Sequence, residues 1–546
     1  MGRADPASAG GDRPTPGRRC AARSPASLSS PSTLRLSGRW SSLLCDVQHC
    51  SPRLSRYPRC VDPIASTETR RRAALGKLDP STQAVLGQFF TPMKAASLMA
   101  SMLRVDGLSG TVRVLDPGAG VGSLSAALVD RLHTERPDIA VHVVAVETDP
   151  LITPHLRATL EECQAAYGIS YDLIEGDYLL DEGAELDGPF DLVIANPPYG
   201  KLASDSPARL ATAGRAVDTP NVYVAFWARA VASLKKDGQG VFIVPRSWAS
   251  GPYYRPFRRW LLSTTSLDVL HEFESRTRVF AEGKVKQENV IISCTLRPQS
   301  SNVILSKSVA HDEKPAARTV PFSTIVQAED ADKIVHFVDG TSVPSAARFT
   351  LADLGISVST GKVVDFRNRQ YLTDNLDTPG VAPMVYQSNI RSGRIDWPQA
   401  KARKPQGFIA VEDAAIRQLL PQGTYVVVKR QTAKEDRRRV IAALWDGPNK
   451  VAFDNKTNYL HESNSPLDRD LARGLMLWLN STILDRYFRA FSGHTQVNAG
   501  DLRRLPFPSR EDLILLAKTA PDGLPDQKEL DAVVAKLFSE VPDSTA

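Results

Sequence analysis

TVRVLDPGAGVGSLSAALVDRL, residues 111–132, is the stretch that sets the fold. Thr111–Leu115 carries the β-branched and aliphatic character of a buried strand. Ser123–Leu132 follows with apolar residues at helical spacing. Between them, Asp116-Pro117-Gly118-Ala119-Gly120-Val121-Gly122 supplies glycines that let the backbone turn sharply and lie close to a ligand. Strand, glycine-rich turn and helix make half of a βαβ unit, and the pattern recurs downstream. Val141–Val146, Tyr171–Ile174, Phe190–Ala195, Gly240–Val244, Leu267–Phe273 and Val290–Leu296 read as further strands, with helices over Glu68–Leu86 and Val222–Leu234. Near-continuous apolar strands separated by helices predict an α/β domain with a mostly parallel, seven-stranded sheet covered on both faces. Ligands then bind at the carboxyl ends of the strands.

The residues after each strand therefore carry the chemistry. The turn after the first departs from the dinucleotide pattern G-x-G-x-x-G and lacks the lysine of a phosphate-binding loop. The second strand runs into Glu147-Thr148-Asp149, where an acid is placed to accept from ribose hydroxyls. The third runs into Glu175-Gly176-Asp177-Tyr178, where a carboxylate can accept from an amino group. Each acid alone is more often a helix cap or a solvated loop charge; their shared position beside a glycine turn points to one ligand. The fourth strand ends in Asn196-Pro197-Pro198-Tyr199-Gly200, the most specific signal in the chain. Two prolines fix the backbone and remove two N–H donors. The Asn oxygen and a Pro carbonyl can then accept from one planar amine, and the Tyr ring offers a face for a base.

Together these residues resemble the N6-adenine DNA methyltransferases of bacterial restriction-modification systems. The order of motifs is similar to the gamma arrangement of the TaqI-like and BsuBI/PstI-like group. The resemblance implies a Rossmann-like S-adenosylmethionine-dependent catalytic domain followed by an α+β target recognition domain. Gly87-Gln88-Phe89-Phe90-Thr91-Pro92 resembles the family motif that precedes the first strand. By that resemblance Thr91, Asp116, Pro117, Gly118, Gly120, Glu147, Thr148, Asp177, Tyr178 and Phe226 would bind the cofactor. Phe226 lies in Asn221-Val222-Tyr223-Val224-Ala225-Phe226, similar to the family's N-L-Y-x-x-F segment. Asn196, Pro197, Pro198 and Tyr199 would be catalytic, with Phe280 stacking on a base flipped out of the duplex. No nucleophilic cysteine is placed for cytosine-C5 chemistry, and no metal site is expected.

The resemblance runs from about Thr67 to Pro508. It implies a catalytic domain over 67–300, a linker region over 301–345 and a recognition domain over 346–546. Tyr386-Gln387-Ser388-Asn389-Ile390 with Ile395-Asp396-Trp397 resembles a recognition segment. Lys429, Arg430, Arg437, Arg438, Arg439 and His494 are the expected contacts to double-stranded DNA. A separately encoded restriction endonuclease is the expected partner. Enzymes of the same fold acting on RNA base amines or protein glutamine, and a non-catalytic DNA-binding protein, are the alternative functions.

Composition bounds these readings. The 546 residues, 42% hydrophobic and 23% charged, suffice for more than one buried core. Net charge is +6, but residues 1–60 hold 10 Arg and no Lys against 3 Asp and no Glu, leaving the rest at −1. DNA affinity must then come from local basic patches. Cys20, Cys45, Cys50 and Cys60 fall in that first segment, with only Cys163 and Cys294 beyond it, which excludes a disulfide framework and fits a cytoplasmic protein. No apolar run is long enough for a membrane span. Residues 1–66 are rich in Arg, Ser and Pro and are expected to be a disordered or spurious extension; a transit peptide and a basic DNA-binding tail are the alternatives.

Overall fold

The computed structural model describes residues 62–76, 90–181, 183, 186, 188–274, 288–311, 313–337, 344–432, 436–492 and 496–538. The readings for residues 1–61, for Gly87–Phe89, for Phe280 and for His494 lie outside the described residues.

One large sheet organises the first part of the chain. Its strands are β1 (Thr111–Pro117), β2 (Ala140–Glu147), β3 (Ser170–Glu175), β4 (Phe190–Ala195), β5 (Leu234–Pro245), β6 (Ser266–Phe273), β7 (Asn289–Thr295), β8 (Asn302–Ser308) and β9 (Ala316–Pro321). They lie in the order β3-β2-β1-β4-β5-β7-β6-β8-β9. β1 pairs in parallel with both β2 and β4, and β4 with β5, while β7 is antiparallel to β5 and β6. The sheet thus has nine strands where the sequence predicted seven. β8 and β9 come from the stretch read as linker. β9 is mostly exposed and β8 mixes buried with exposed positions, so neither shows the continuous apolar run by which the central strands were found.

Both faces are buried. Val144, Val193, Phe242 and Ile292 share one core with Trp227, Trp248 and Phe257. Val143, Ile194, Ile243 and Ile291 share another with the helices Met93–Ser101 and Ser123–Glu135. Each fully buried aliphatic side chain contributes about 1.5–3 kcal/mol over its exposed state, which makes the central strands the rigid frame for whatever follows them. The sequence order reverses between β1 and β4, and in open α/β sheets such a switch point marks the ligand crevice beyond the carboxyl ends of the strands. The first helix runs Pro63–Leu75, earlier than the Glu68 start read from the sequence. Asp62 accepts from the Ile64 amide as N-cap, and Pro63 takes the first position, where its missing N–H costs nothing.

The later chain forms two smaller sheets. β10 (Ser357–Thr360), β13 (Gly393–Arg394), β15 (Gly423–Lys429), β16 (Ala442–Gly447) and β18 (Thr457–His461) make one, in the order β10-β18-β15-β16-β13. β11 (Leu372–Thr373), β12 (Val381–Val385), β14 (Gly407–Ile409) and β17 (Ala452–Phe453) make the other. Helices Arg469–Leu479, Thr482–Phe491, Arg510–Thr519 and Gln527–Phe538 share a core with the first. No helix among the described residues is long and apolar enough to cross a membrane.

Candidate functional site

At the crevice the ends of β1, β2 and β3 are stitched together. The Ala119 amide donates to the Val146 carbonyl (2.8 Å) and the Gly176 amide to that of Glu147 (3.1 Å). Glu147 Oε2 accepts from the Gly120 amide (2.8 Å), and Oε1 from the Thr148 and Asp149 amides (3.0 and 2.9 Å). Burial pushes its carboxyl above the usual range, opposed by those amides. Asp116 is wholly buried at the end of β1. Its Oδ2 accepts from the Ser125 amide and hydroxyl (3.1 and 2.6 Å), holding the start of helix Ser123–Glu135. Its Oδ1 is buried with no hydrogen-bond partner, and burial lifts the carboxyl to about 7. Asp177 is exposed after β3 and accepts from the Leu179 amide (2.9 Å).

Two glycines of the turn are favoured by their positive φ, and one of them also by what lies over it. Gly118 has φ +71, and a Cβ there would stand 3.5 Å from Phe226 Cε1 and 3.8 Å from Pro198 Cδ. The turn therefore meets both the Asn-Pro-Pro-Tyr loop and the helix Val222–Ala232. Gly120 has φ +59, and its Cβ would come within 2.9 Å of the Phe90 ring. Gly120→Ala combines left-handed strain with that overlap. It is expected to lower stability by about 1–2 kcal/mol, read from the urea midpoint.

After β4, Asn196 is gripped from two sides. Its Nδ2 donates to Thr91 Oγ1 (3.0 Å), and its Oδ1 accepts from the Tyr199 hydroxyl (3.3 Å). Thr91 is itself buried, so the segment ahead of β1 reaches the loop after β4. Tyr199 lies edge-on to Tyr223 (centroids 6.1 Å apart), and Tyr223 packs on Tyr254 (5.8 Å). Burial pushes the Tyr199 and Tyr223 hydroxyls above their ordinary value, so both remain protonated donors. The loop is tied at its far end by the Val222 amide on the Gly200 carbonyl (3.1 Å) and the Leu202 amide on that of Pro220 (2.8 Å).

Helix Val222–Ala232 thus carries three contacts at successive turns: Tyr223 to Tyr199, Phe226 to Gly118, and Arg229 over the Tyr178 ring (4.6 Å) with a hydrogen bond to the Asp181 carbonyl (2.6 Å). Tyr178 is buried between Phe226 (5.1 Å) and Arg229. Thr148 is exposed at the end of β2 and Pro117 is buried at the end of β1. Asp116, Pro117, Gly118, Gly120, Glu147, Thr148, Asp177, Tyr178 and Asn196–Tyr199 therefore lie at or just beyond the carboxyl ends of β1–β4, and Thr91 and Phe226 touch residues there.

The basic residues of the C-terminal region do not stay together. Arg437 is exposed and Lys429 and Arg438 are half-buried. Arg430 is turned inward, donating to the Asn455 carbonyl (3.0 Å) and Asn498 Oδ1 (3.3 Å). Arg439 corrects the sequence reading: it is 1% exposed, lies over the Phe488 ring (5.3 Å) and bonds Thr432 Oγ1 (3.3 Å), so its guanidinium is a core group rather than a surface charge. A run of three arginines says nothing about which one the fold turns inward. Arg246, just after β5, went unread in the sequence. It is buried against Glu272 Oε1 (2.9 Å), Glu288 Oε1 (2.8 Å) and the carbonyls of Ala490 (2.7 Å) and Arg489 (3.2 Å).

Comparison with known proteins gives consistent results. Residues 130–280 match the family described as Eco57I restriction-modification methylase. The type II methyltransferase M.PstI of Providencia stuartii is 35% identical over 486 residues, covering 85% of this chain and 95% of that protein. M.BsuBI of Bacillus subtilis, also a type II methyltransferase, is 37% identical over 478 residues, covering 83% and 94%. The solved structure of the type IIL restriction-modification enzyme MmeI in complex with DNA aligns at a TM-score of 0.52 over 79% of this chain and 71% of that one, at 12% identity, a likeness of fold.

Proposed function

The chain belongs to the type II methyltransferases of restriction-modification systems, and from that premise we propose that it transfers a methyl group from S-adenosylmethionine to N6 of an adenine flipped out of double-stranded DNA. The observation that carries the adenine reading is the Asn196 amide, held between Thr91 and Tyr199 at the mouth of the crevice and followed by two prolines.

The crevice fits the cofactor. Its floor is a backbone turn in which Gly118 and Gly120 take left-handed φ values that disfavour side chains and Phe90 leaves no room for a Cβ at Gly120, and the Asp116 carboxyl keeps one buried oxygen with no partner. Thr91, Asp116, Pro117, Gly118, Gly120, Glu147, Thr148, Asp177, Tyr178 and Phe226 would hold S-adenosylmethionine. When bound, that cofactor supplies a methyl group already activated on a sulfonium.

What the chain must do is position the amine. A carbonyl oxygen accepts up to two hydrogen bonds, so Asn196 Oδ1 can serve a substrate N–H while Tyr199 holds it. The Pro197 carbonyl takes the second N–H. With both hydrogens drawn to acceptors, the nitrogen gains tetrahedral character and turns its lone pair toward the methyl. Holding reactants in such a geometry supplies much of the rate in a reaction of this kind. Tyr199 and Phe280 stack the base. Lys429, Arg437, Arg438 and His494 contact DNA phosphates, and a separately encoded restriction endonuclease shares the recognition site. The enzyme works in the cytoplasm, where its DNA lies.

Expression in a methylation-deficient bacterial host, followed by modification-sensitive sequencing of the genome, tests the reading. N6-methyladenine in one short sequence context is the expected outcome. No modified base, from folded protein that binds S-adenosylmethionine, overturns it in favour of an RNA or protein substrate.

A further inference from the structure

Asn289 opens β7 and is 5% exposed. Both its Oδ1 and its Nδ2 are buried with no hydrogen-bond partner. Nearly all buried polar side-chain atoms in folded proteins are partnered, so an amide orphaned at both ends is a cost the fold does not explain. A Leu would fit the strand better.

Its place suggests what the amide is kept for. Asn289 pairs with Pro245 at the carboxyl end of β5, and β5 lies between β7 and β4. Ala195 is level with Phe242, and Phe242 with Ile292. Continued upward, that register brings the Asn196–Tyr199 loop off the sheet at the height of Asn289, two strand spacings or roughly 10 Å away. The faces agree as well. Ile194, Ile243 and Ile291 share one core. Side chains alternate along a strand, so Asn289, two residues before Ile291, is on that face, and so is Asn196, two residues after Ile194. Asn289 thus stands on the same face of the sheet as Asn196, beyond the end of β5 and level with the proline loop that follows Asn196.

We propose that Asn289 reads the ring edge of the flipped adenine, an inference that rests on the N6-adenine reading above. Asn196 and the Pro197 carbonyl engage both N6 hydrogens. N1 and N7 are the ring acceptors that flank N6, and Asn289 Nδ2 supplies the donor to one of them. An amide is the side chain that pairs with adenine most readily. The desolvation cost borne by the free enzyme is recovered when the base enters.

Asn289→Leu separates this role from a structural one. Removing two orphaned polar atoms is expected to leave the melting temperature unchanged or higher, and cofactor binding unchanged. The kcat/KM for DNA is expected to fall about tenfold, the size of one neutral hydrogen bond. The wild-type enzyme is expected to lose a similar factor on a duplex carrying 1-deazaadenine or 7-deazaadenine at the target, on one of the two and not both. The Leu variant is expected to treat that analogue and adenine alike. Unaltered kcat/KM in the Leu variant, or a wild type indifferent to both analogues, overturns the proposal, and the analogue comparison decides it alone if the variant does not fold. A wild type that methylates no adenine-containing DNA is a different result, the failure of the N6-adenine reading itself.

Discussion

Asn196→Ala is expected to reduce single-turnover methyl transfer by about a thousandfold, the loss seen when a preorganised group at the reacting centre is removed. Cofactor affinity is expected to change by less than about threefold, because the group lost acts on the amine and only touches the cofactor side through Thr91 Oγ1. The split matters more than the size. Asn196 sits after a strand whose six residues are all buried, so the backbone that presents it survives the truncation. Asn196→Asp sharpens the test. It keeps the acceptor oxygen but replaces the Nδ2 donor with a second acceptor, to which the Thr91 hydroxyl can only donate, so partial activity would assign the oxygen the larger share. Equal loss of transfer and of cofactor binding, measured by calorimetry beside the transfer assay, would refute the role assigned to Asn196.

The parts of this site that could be read from sequence are those in which one short segment does the work. Asp116–Gly122 and Asn196–Tyr199 each follow a buried apolar strand, and the chemistry proposed for them lies in consecutive residues whose backbone is dictated by glycine or proline. The structure brings both segments to one crevice, with Gly118 under Pro198 and Phe226. Glu147 was placed correctly at the end of β2, but its work in the free protein is to hold the Gly120, Thr148 and Asp149 amides, a role that needs the turn and the strand end side by side.

What stayed illegible depends on contacts between distant segments. Arg437, Arg438 and Arg439 are identical letters, yet Asp485 accepts from the Arg439 amide (2.7 Å) and draws that residue into the core while Arg437 stays outside. β8 and β9 read as linker because they lie at the edge of the sheet, are partly or mostly exposed, and lack continuous apolar sequence. Asn289 looked like any polar residue heading a strand. Only its lack of partners, a property of the folded interior, marks it out.

Arg246→Ala is expected to destabilise the protein by about 3–5 kcal/mol, because it removes the cation shared by two buried carboxylates. The guanidinium is 2% exposed, and Glu272 and Glu288 are 8% and 7% exposed. Desolvation of such a trio is repaid only while the geometry is complete, so losing one member costs more than the pair ever contributed. The effect should be non-local. Glu272 is next to last in β6, Glu288 precedes β7, and the same guanidinium donates to the Ala490 and Arg489 carbonyls at the last turn of helix Thr482–Phe491. A positive charge at that helix end also complements its dipole. Truncating one side chain therefore loosens the seam between the large sheet and the C-terminal helices. Urea unfolding at neutral pH should show the midpoint falling together for a tryptophan of the sheet core, such as Trp248, and for Trp478 in the C-terminal core. The charge argument has its own control. Arg246→Met combined with Glu272→Gln and Glu288→Gln removes every buried charge of the trio and should recover much of the loss. If the triple variant is no more stable than Arg246→Ala, the lost helix-end hydrogen bonds rather than the ion pairs with Glu272 and Glu288 set the cost.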